Sequence, residues 1–219
     1  MYYFKKTIIS YLCRIIFLIL SGCCLLLHFS VNDASHNYYM LSYFTIISNL
    51  FCFIMILFYR HHTNRTYIFL YGMSLSGIIF TFFIYHFVMV EPTCSILSIH
   101  LYERPLCDLF AHYIIPLLYL IFWILFIPKN TYPLYYPILW TFYPAIYLLI
   151  TLYRIFIVSA QSPLHLTSFP YFFLDIHQQG YLKFTNYIIA LLFISLATGY
   201  LLIVLERLII LFCSLFYKE

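Results

Sequence analysis

Six apolar runs, near residues 7–29, 42–60, 66–90, 105–127, 134–158 and 183–208, constrain this chain more than anything else in it. Each approaches the roughly 20 residues a helix needs to cross the hydrocarbon core of a bilayer. Hydrocarbon offers no water to backbone N–H and C=O groups, so each run must satisfy its own polar groups as a helix. Composition closes off the soluble alternative. Of 219 residues, 65% are hydrophobic and 8% charged, whereas about 25% of an ordinary soluble domain is charged. The expected fold is all-α: a polytopic membrane protein, one integral-membrane domain over residues 1–219 built as a six-transmembrane-helix bundle. No separate soluble domain is expected, so function belongs to the bundle.

Eleven Lys and Arg against seven Asp and Glu give a net charge of +4. In a soluble chain such a balance suggests nucleic acid; here the charges lie in loops and report orientation, and no nucleic-acid partner is expected. Lys5, Lys6, Arg60, Arg65, Lys129, Arg207 and Lys218 fall on one side of the runs. Asp33, Glu91, Glu103, Asp108 and Asp175 fall on the other, with Arg104 and Lys183. The positive-inside rule then places both termini in the cytoplasm of a multi-pass protein of the cell membrane. Leu20-Ser21-Gly22-Cys23 resembles a lipoprotein cleavage box, but Arg14 within the same apolar run argues for a retained first span. Cys13, Cys23, Cys24, Cys52 and Cys213 lie in apolar runs and read as small buried hydrophobes. Cys94 and Cys107 flank the segment between the third and fourth runs, and a disulfide between them is one option on an oxidising side.

Polar side chains within the runs need a reason, because a charge at mid-bilayer costs about 2.5–3.5 kcal/mol on insertion scales. Ser42, Thr45, Ser48 and Asn49 recur at helical spacing and form one stripe. Tyr85 and His86, Asp108 and His112, Arg154, Asp175 and Asn186 lie at a similar level near the outer ends. Singly, each Ser or Thr reads as back-bonded to its own helix or as glue between helices. His112 is more pointed. Asp108, one turn earlier, offers a carboxylate that would fix its tautomer. Pro116, one turn later, removes the hydrogen bond to the His112 carbonyl, so a kink is expected at this histidine. Arg154 shares a face with Thr151 and Tyr147 and needs a partner at depth, with Asp108 and Asp175 as candidates for an ion pair. His28, His61, His62, His100 and His165 lie at membrane boundaries or in loops and read as solvated.

A hydroxyl nucleophile needs a base within reach, a group that orients the base, and donors for the developing oxyanion. Thr45, His112, then Asp108 or Asp175, and finally Asn49 or Arg154 fill these roles in order, with Ser48 and Ser42 as substitute nucleophiles. A pocket between apolar helices would take a lipid ester from the membrane, without a cofactor. The segments Tyr43-Phe44-Thr45-Ile46-Ile47-Ser48-Asn49 and Leu109-Phe110-Ala111-His112-Tyr113-Ile114-Ile115-Pro116 resemble the two motifs of the androgen-induced and androgen-dependent membrane proteins and their bacterial relatives. Phe169-Pro170-Tyr171-Phe172-Phe173-Leu174-Asp175 is similar to an aromatic loop of the bacterial members that ends in aspartate. The resemblance implies membrane-embedded hydrolysis of fatty acid esters of hydroxy fatty acids, with Thr45 and His112 as the catalytic pair.

Other classes fit parts of the pattern. His86 and His112 on neighbouring spans suit axial ligation of a haem iron, and His86, Asp108 and His112 suit zinc. A transporter or scaffold would use Arg154 and the aspartates to line a path. Transporters often carry inverted repeats, and the two halves of this chain show no similarity.

Overall fold

The computed structural model describes residues 2–29, 37, 39–60, 64–89, 106–158 and 169–216. These hold six helices and no strand: α1 (Tyr2–Leu27), α2 (Phe44–Leu57), α3 (Arg65–Ile84), α4 (Leu106–Phe126), α5 (Tyr136–Tyr153) and α6 (Ile176–Phe216). A π turn, Tyr85–Met89, continues α3 and another, Arg154–Val158, continues α5; a short 3-10 turn, Phe172–Leu174, precedes α6. Each helix overlaps one of the six apolar runs, though the last extends from Ile176 to Phe216, well beyond 183–208. Cys94, His61, His62, His100 and His165 lie outside the described residues, and with Cys94 the proposed disulfide.

All but α2 are long and apolar enough to cross a membrane. The second run makes a shorter span than its apolar length suggests: α2 has 14 residues and rises about 21 Å, less than the roughly 30 Å hydrocarbon core. The chain enters it through Tyr43 in an extended conformation, and Phe44, Thr45 and Ile46 of its first turn are already buried. Instead of standing at the rim, the N-terminus of α2 begins inside the bundle.

Helix α3 is the central element, with 61% of its apolar window buried against 22% for α1. Around it Tyr71, Leu75, Ile78, Tyr119 and Trp123 are fully enclosed. Hydroxyls between helices take the place of charges. Ser74 bonds the Tyr119 hydroxyl at 2.6 Å, Tyr71 donates to the Tyr119 carbonyl at 3.2 Å, and the two tyrosine rings stack at 4.5 Å. Close approach is made by glycine: a Cβ at Gly72 would lie 2.2 Å from Trp140 Cζ2, so only a hydrogen fits where α5 crosses α3. The outer surface is apolar, as with Ile15, Ile19 and Leu26 of α1 and Leu149 and Ile150 of α5. Such a surface suits hydrocarbon, not water.

The two ends differ. At one, Arg14 donates to the Tyr59 carbonyl at 3.3 Å and to the Leu57 carbonyl, satisfying groups that the end of α2 leaves open. Arg14 therefore has a structural use within a continuous first helix. Nearby, Tyr59 bonds the Phe126 carbonyl, Lys129 bonds the Trp123 and Ile127 carbonyls, and the buried Glu206 accepts from the Thr131 and Tyr132 N–H groups. The opposite end holds Thr45, His112, Asp108 and the Phe172–Leu174 turn. Gly180, at φ 73°, breaks α6 one turn after its start there.

Candidate active site

The first turn of α2 and a widened turn of α4 build the site. Pro116 has no N–H to return to His112, and the chain answers with a π turn over Phe110–Ile114, in which the Ile115 N–H reaches back to the Phe110 carbonyl. The expected kink is thus a bulge centred on His112. It brings His112 Nε2 to 3.2 Å from Thr45 Oγ1. His112 Nδ1 lies 2.9 Å from the backbone carbonyl of Asp108. A carbonyl only accepts, so Nδ1 carries the proton, and in the neutral ring Nε2 accepts from the Thr45 hydroxyl. The ring of Tyr85 stacks on the imidazole at 3.7 Å and 16°, fixing its plane.

Asn49 sets the distance between the two helices. Its Nδ2 donates to the Thr45 carbonyl at 2.9 Å and to the Ala111 carbonyl at 3.1 Å, and the side chain is 1% exposed. It bridges α2 to the residue before His112 and is not directed at the cavity, so the expected oxyanion donor is a positioning group. Its Oδ1 is buried without a partner. Ser48 is also turned away, bonded to the Tyr143 hydroxyl at 3.2 Å. Ser42 back-bonds to the Tyr39 carbonyl. The stripe therefore splits, and Thr45 alone of its members lines the cavity.

Neither carboxylate orients the imidazole. Asp108 does so through its main chain, one turn back along the helix. Asp175 instead caps α6, accepting from the His177 and Gln178 N–H groups at 2.9 and 3.2 Å. Arg154, 8% exposed, makes no ion pair among the described residues, and its Nε and Nη2 are buried without hydrogen-bond partners. His86 bonds the Tyr113 hydroxyl at 3.1 Å through Nδ1 and stacks on Phe82. His112 has Thr45 on one nitrogen and a carbonyl on the other, an arrangement that haem or zinc ligation would have to break. Asn186 is exposed and takes no part.

The pair stands on the wall of a cavity of about 340 Å³, within the size range of small-molecule sites. The lining is mainly apolar and comes from α2, α3, α4, α5 and α6, including Phe44, Phe80, Ile84, Leu148 and Leu191. Tyr171 closes one side. Its hydroxyl faces Thr45 Oγ1 and the N–H groups of Phe44 and Thr45; burial raises its pKa above the ordinary tyrosine value, and these hydrogen bonds oppose the rise. Sequence reasoning gave no role to Tyr85 or Tyr171, although both lay in segments it singled out. His28, read as solvated, is half-buried and lines the cavity, with Nδ1 at 2.7 Å from the Cys24 carbonyl.

Fold and site together define a polytopic α-helical membrane protein that holds a hydroxyl–imidazole pair against an apolar cavity. Comparison with protein-family models, with curated proteins and with solved structures finds no match to this chain.

Proposed function

We propose that this protein is a membrane-embedded hydrolase of lipid esters, with Thr45 as nucleophile and His112 as base. The 3.2 Å contact between Thr45 Oγ1 and His112 Nε2 carries the reading. Its setting supports it: a base with a fixed tautomer, an apolar cavity for an acyl chain, and a helix N-terminus beside the nucleophile. On this reading the termini are cytoplasmic, the site faces the outer leaflet of the cell membrane, and fatty acid esters of hydroxy fatty acids are the substrate class that the motif resemblance favours.

The reaction follows from the groups present. Thr45 Oγ1 attacks the ester carbonyl carbon as its proton passes to His112 Nε2, and negative charge develops on the carbonyl oxygen. The Phe44, Thr45 and Ile46 N–H groups have no intrahelical partner, the first such bond being from Ile47 to Tyr43. They carry the positive end of the α2 dipole and can receive the oxyanion once Tyr171 gives way. Collapse returns the proton to the leaving alkoxide and leaves an acyl-threonine. Water, deprotonated by His112, then attacks that ester, releasing the fatty acid and restoring the Thr45 hydroxyl.

A lipophilic fluorophosphonate tests this by phosphonylating an activated hydroxyl. The wild-type protein should be labelled, and Thr45→Ala and His112→Ala should both lose labelling while keeping the wild-type elution profile in detergent. Full labelling of Thr45→Ala would overturn the assignment. A transporter reading would instead be favoured by solute uptake into liposomes without chemical change.

A further inference from the structure

The residue that follows α1 and the first turn of α4 bring together three side chains that the ester chemistry does not use. Single ligand atoms from His28, Cys107 and Asp108 all lie within 4.8 Å of one another. We propose that these residues bind a divalent ion of the zinc class beside the cavity, clipping α1 to α4.

The donor set selects the ion. An imidazole nitrogen, a thiolate sulfur and a carboxylate oxygen suit zinc, whereas magnesium and calcium take oxygen ligands. Tetrahedral zinc with bonds of about 2.0–2.3 Å holds its ligand atoms roughly 3.3–3.8 Å apart. A movement of about 1 Å in half-buried side chains closes the observed spacing to that value. The support around the ligands is of the kind metal sites use. His28 Nδ1 lies 2.7 Å from the Cys24 carbonyl, an outer partner that in the neutral ring puts the proton on Nδ1 and the lone pair a metal takes on Nε2. Cys24 Sγ in turn donates to the Cys107 carbonyl at 3.9 Å, so the two helix ends are already fastened by an outer contact. Three protein ligands leave a fourth position, and because His28 and Asp108 both line the cavity, that position is within reach of water or of a ligand there.

Occupancy would be felt at the Thr45–His112 pair, a consequence that rests on the hydrolase reading as binding itself does not. Asp108 would hold the metal through its carboxylate and orients His112 through its carbonyl. An ion on the first therefore stiffens the second.

The purified full-length protein, stripped with chelator, is titrated with Co²⁺ as a spectroscopic substitute and then with Zn²⁺. An intense sulfur-to-cobalt charge-transfer band is expected, displaced by Zn²⁺. It should be lost in Cys107→Ser and kept in Cys24→Ser. His28→Ala and Asp108→Asn should weaken binding by more than about 10-fold, the scale on which even outer partners of metal ligands act. In the wild-type protein, Zn²⁺ should also protect Cys107 from maleimide, read by peptide mass spectrometry without any substitution. No charge-transfer band, a band that survives Cys107→Ser, or alkylation of Cys107 unaffected by Zn²⁺ would each overturn the site. Labelling by fluorophosphonate is read separately, so failure here leaves the hydrolase reading to its own test.

Discussion

Thr45 and His112 meet because a polar bridge and a stacked ring hold them. Asn49 ties the Thr45 carbonyl to the Ala111 carbonyl, and Tyr85 fixes the imidazole plane. Replacing Asn49 by Leu strands the Ala111 carbonyl in an apolar interior at a cost of about 1–3 kcal/mol, while the Thr45 carbonyl keeps its main-chain bond within α2. Asn49→Leu should therefore lower the thermal midpoint in detergent and slow fluorophosphonate labelling together, since it loosens the spacing as well as the fold. Asp175 separates the two readouts. As the cap of α6 its loss should cost about 0.5–2 kcal/mol, so Asp175→Ala should melt earlier yet label at the wild-type rate; a loss of labelling at unchanged stability would return it to the role of orienting His112. At this scale the sequence was a partial guide. Depth and helical spacing picked out Thr45 and His112, but spacing does not say which neighbour a side chain faces. Ser48, Asn49 and Thr45 differ by only part of a helical turn, and that difference sends them to Tyr143, to Ala111 and to the cavity. A carbonyl as the orienting group was not legible either, because every residue has one.

At the scale of elements, Pro116 was the informative residue. A proline four positions after His112 foretold a break there, and the break is the π turn Phe110–Ile114. Restoring an N–H with Pro116→Ala permits a regular helix through this segment, which rotates the residues before it and draws His112 from Thr45. The expected outcome is stability equal to or above that of the wild type with labelling reduced about 10-fold or more, since misplacing a group by 1 Å costs on the order of 100-fold. Wild-type labelling in Pro116→Ala would show that the bulge is not needed. Helix boundaries were less legible. Apolar composition carries the second run from 42 to 60, yet α2 starts at Phe44 and ends at Leu57. Hydropathy records what can lie in lipid and not where the backbone stops coiling.

For the whole molecule, the all-α multi-pass architecture was the most legible property, because it follows from a shortage of charge and a lack of water that no local detail can override. The bundle encloses hydrogen-bonded polar groups such as Ser74 and Asn49, turns many apolar side chains outward, and holds Arg14, Lys129 and Arg207 at one end with the Thr45–His112 pair near the other. Hydrolysis by this bundle requires that pair to be chemically competent, and peptide mapping of the fluorophosphonate-treated protein in detergent examines this. One dominant adduct is expected, on Thr45, absent when His112 is replaced by Ala. An adduct on Ser42 or Ser48 instead, or one on Thr45 that forms equally well in His112→Ala, would contradict it.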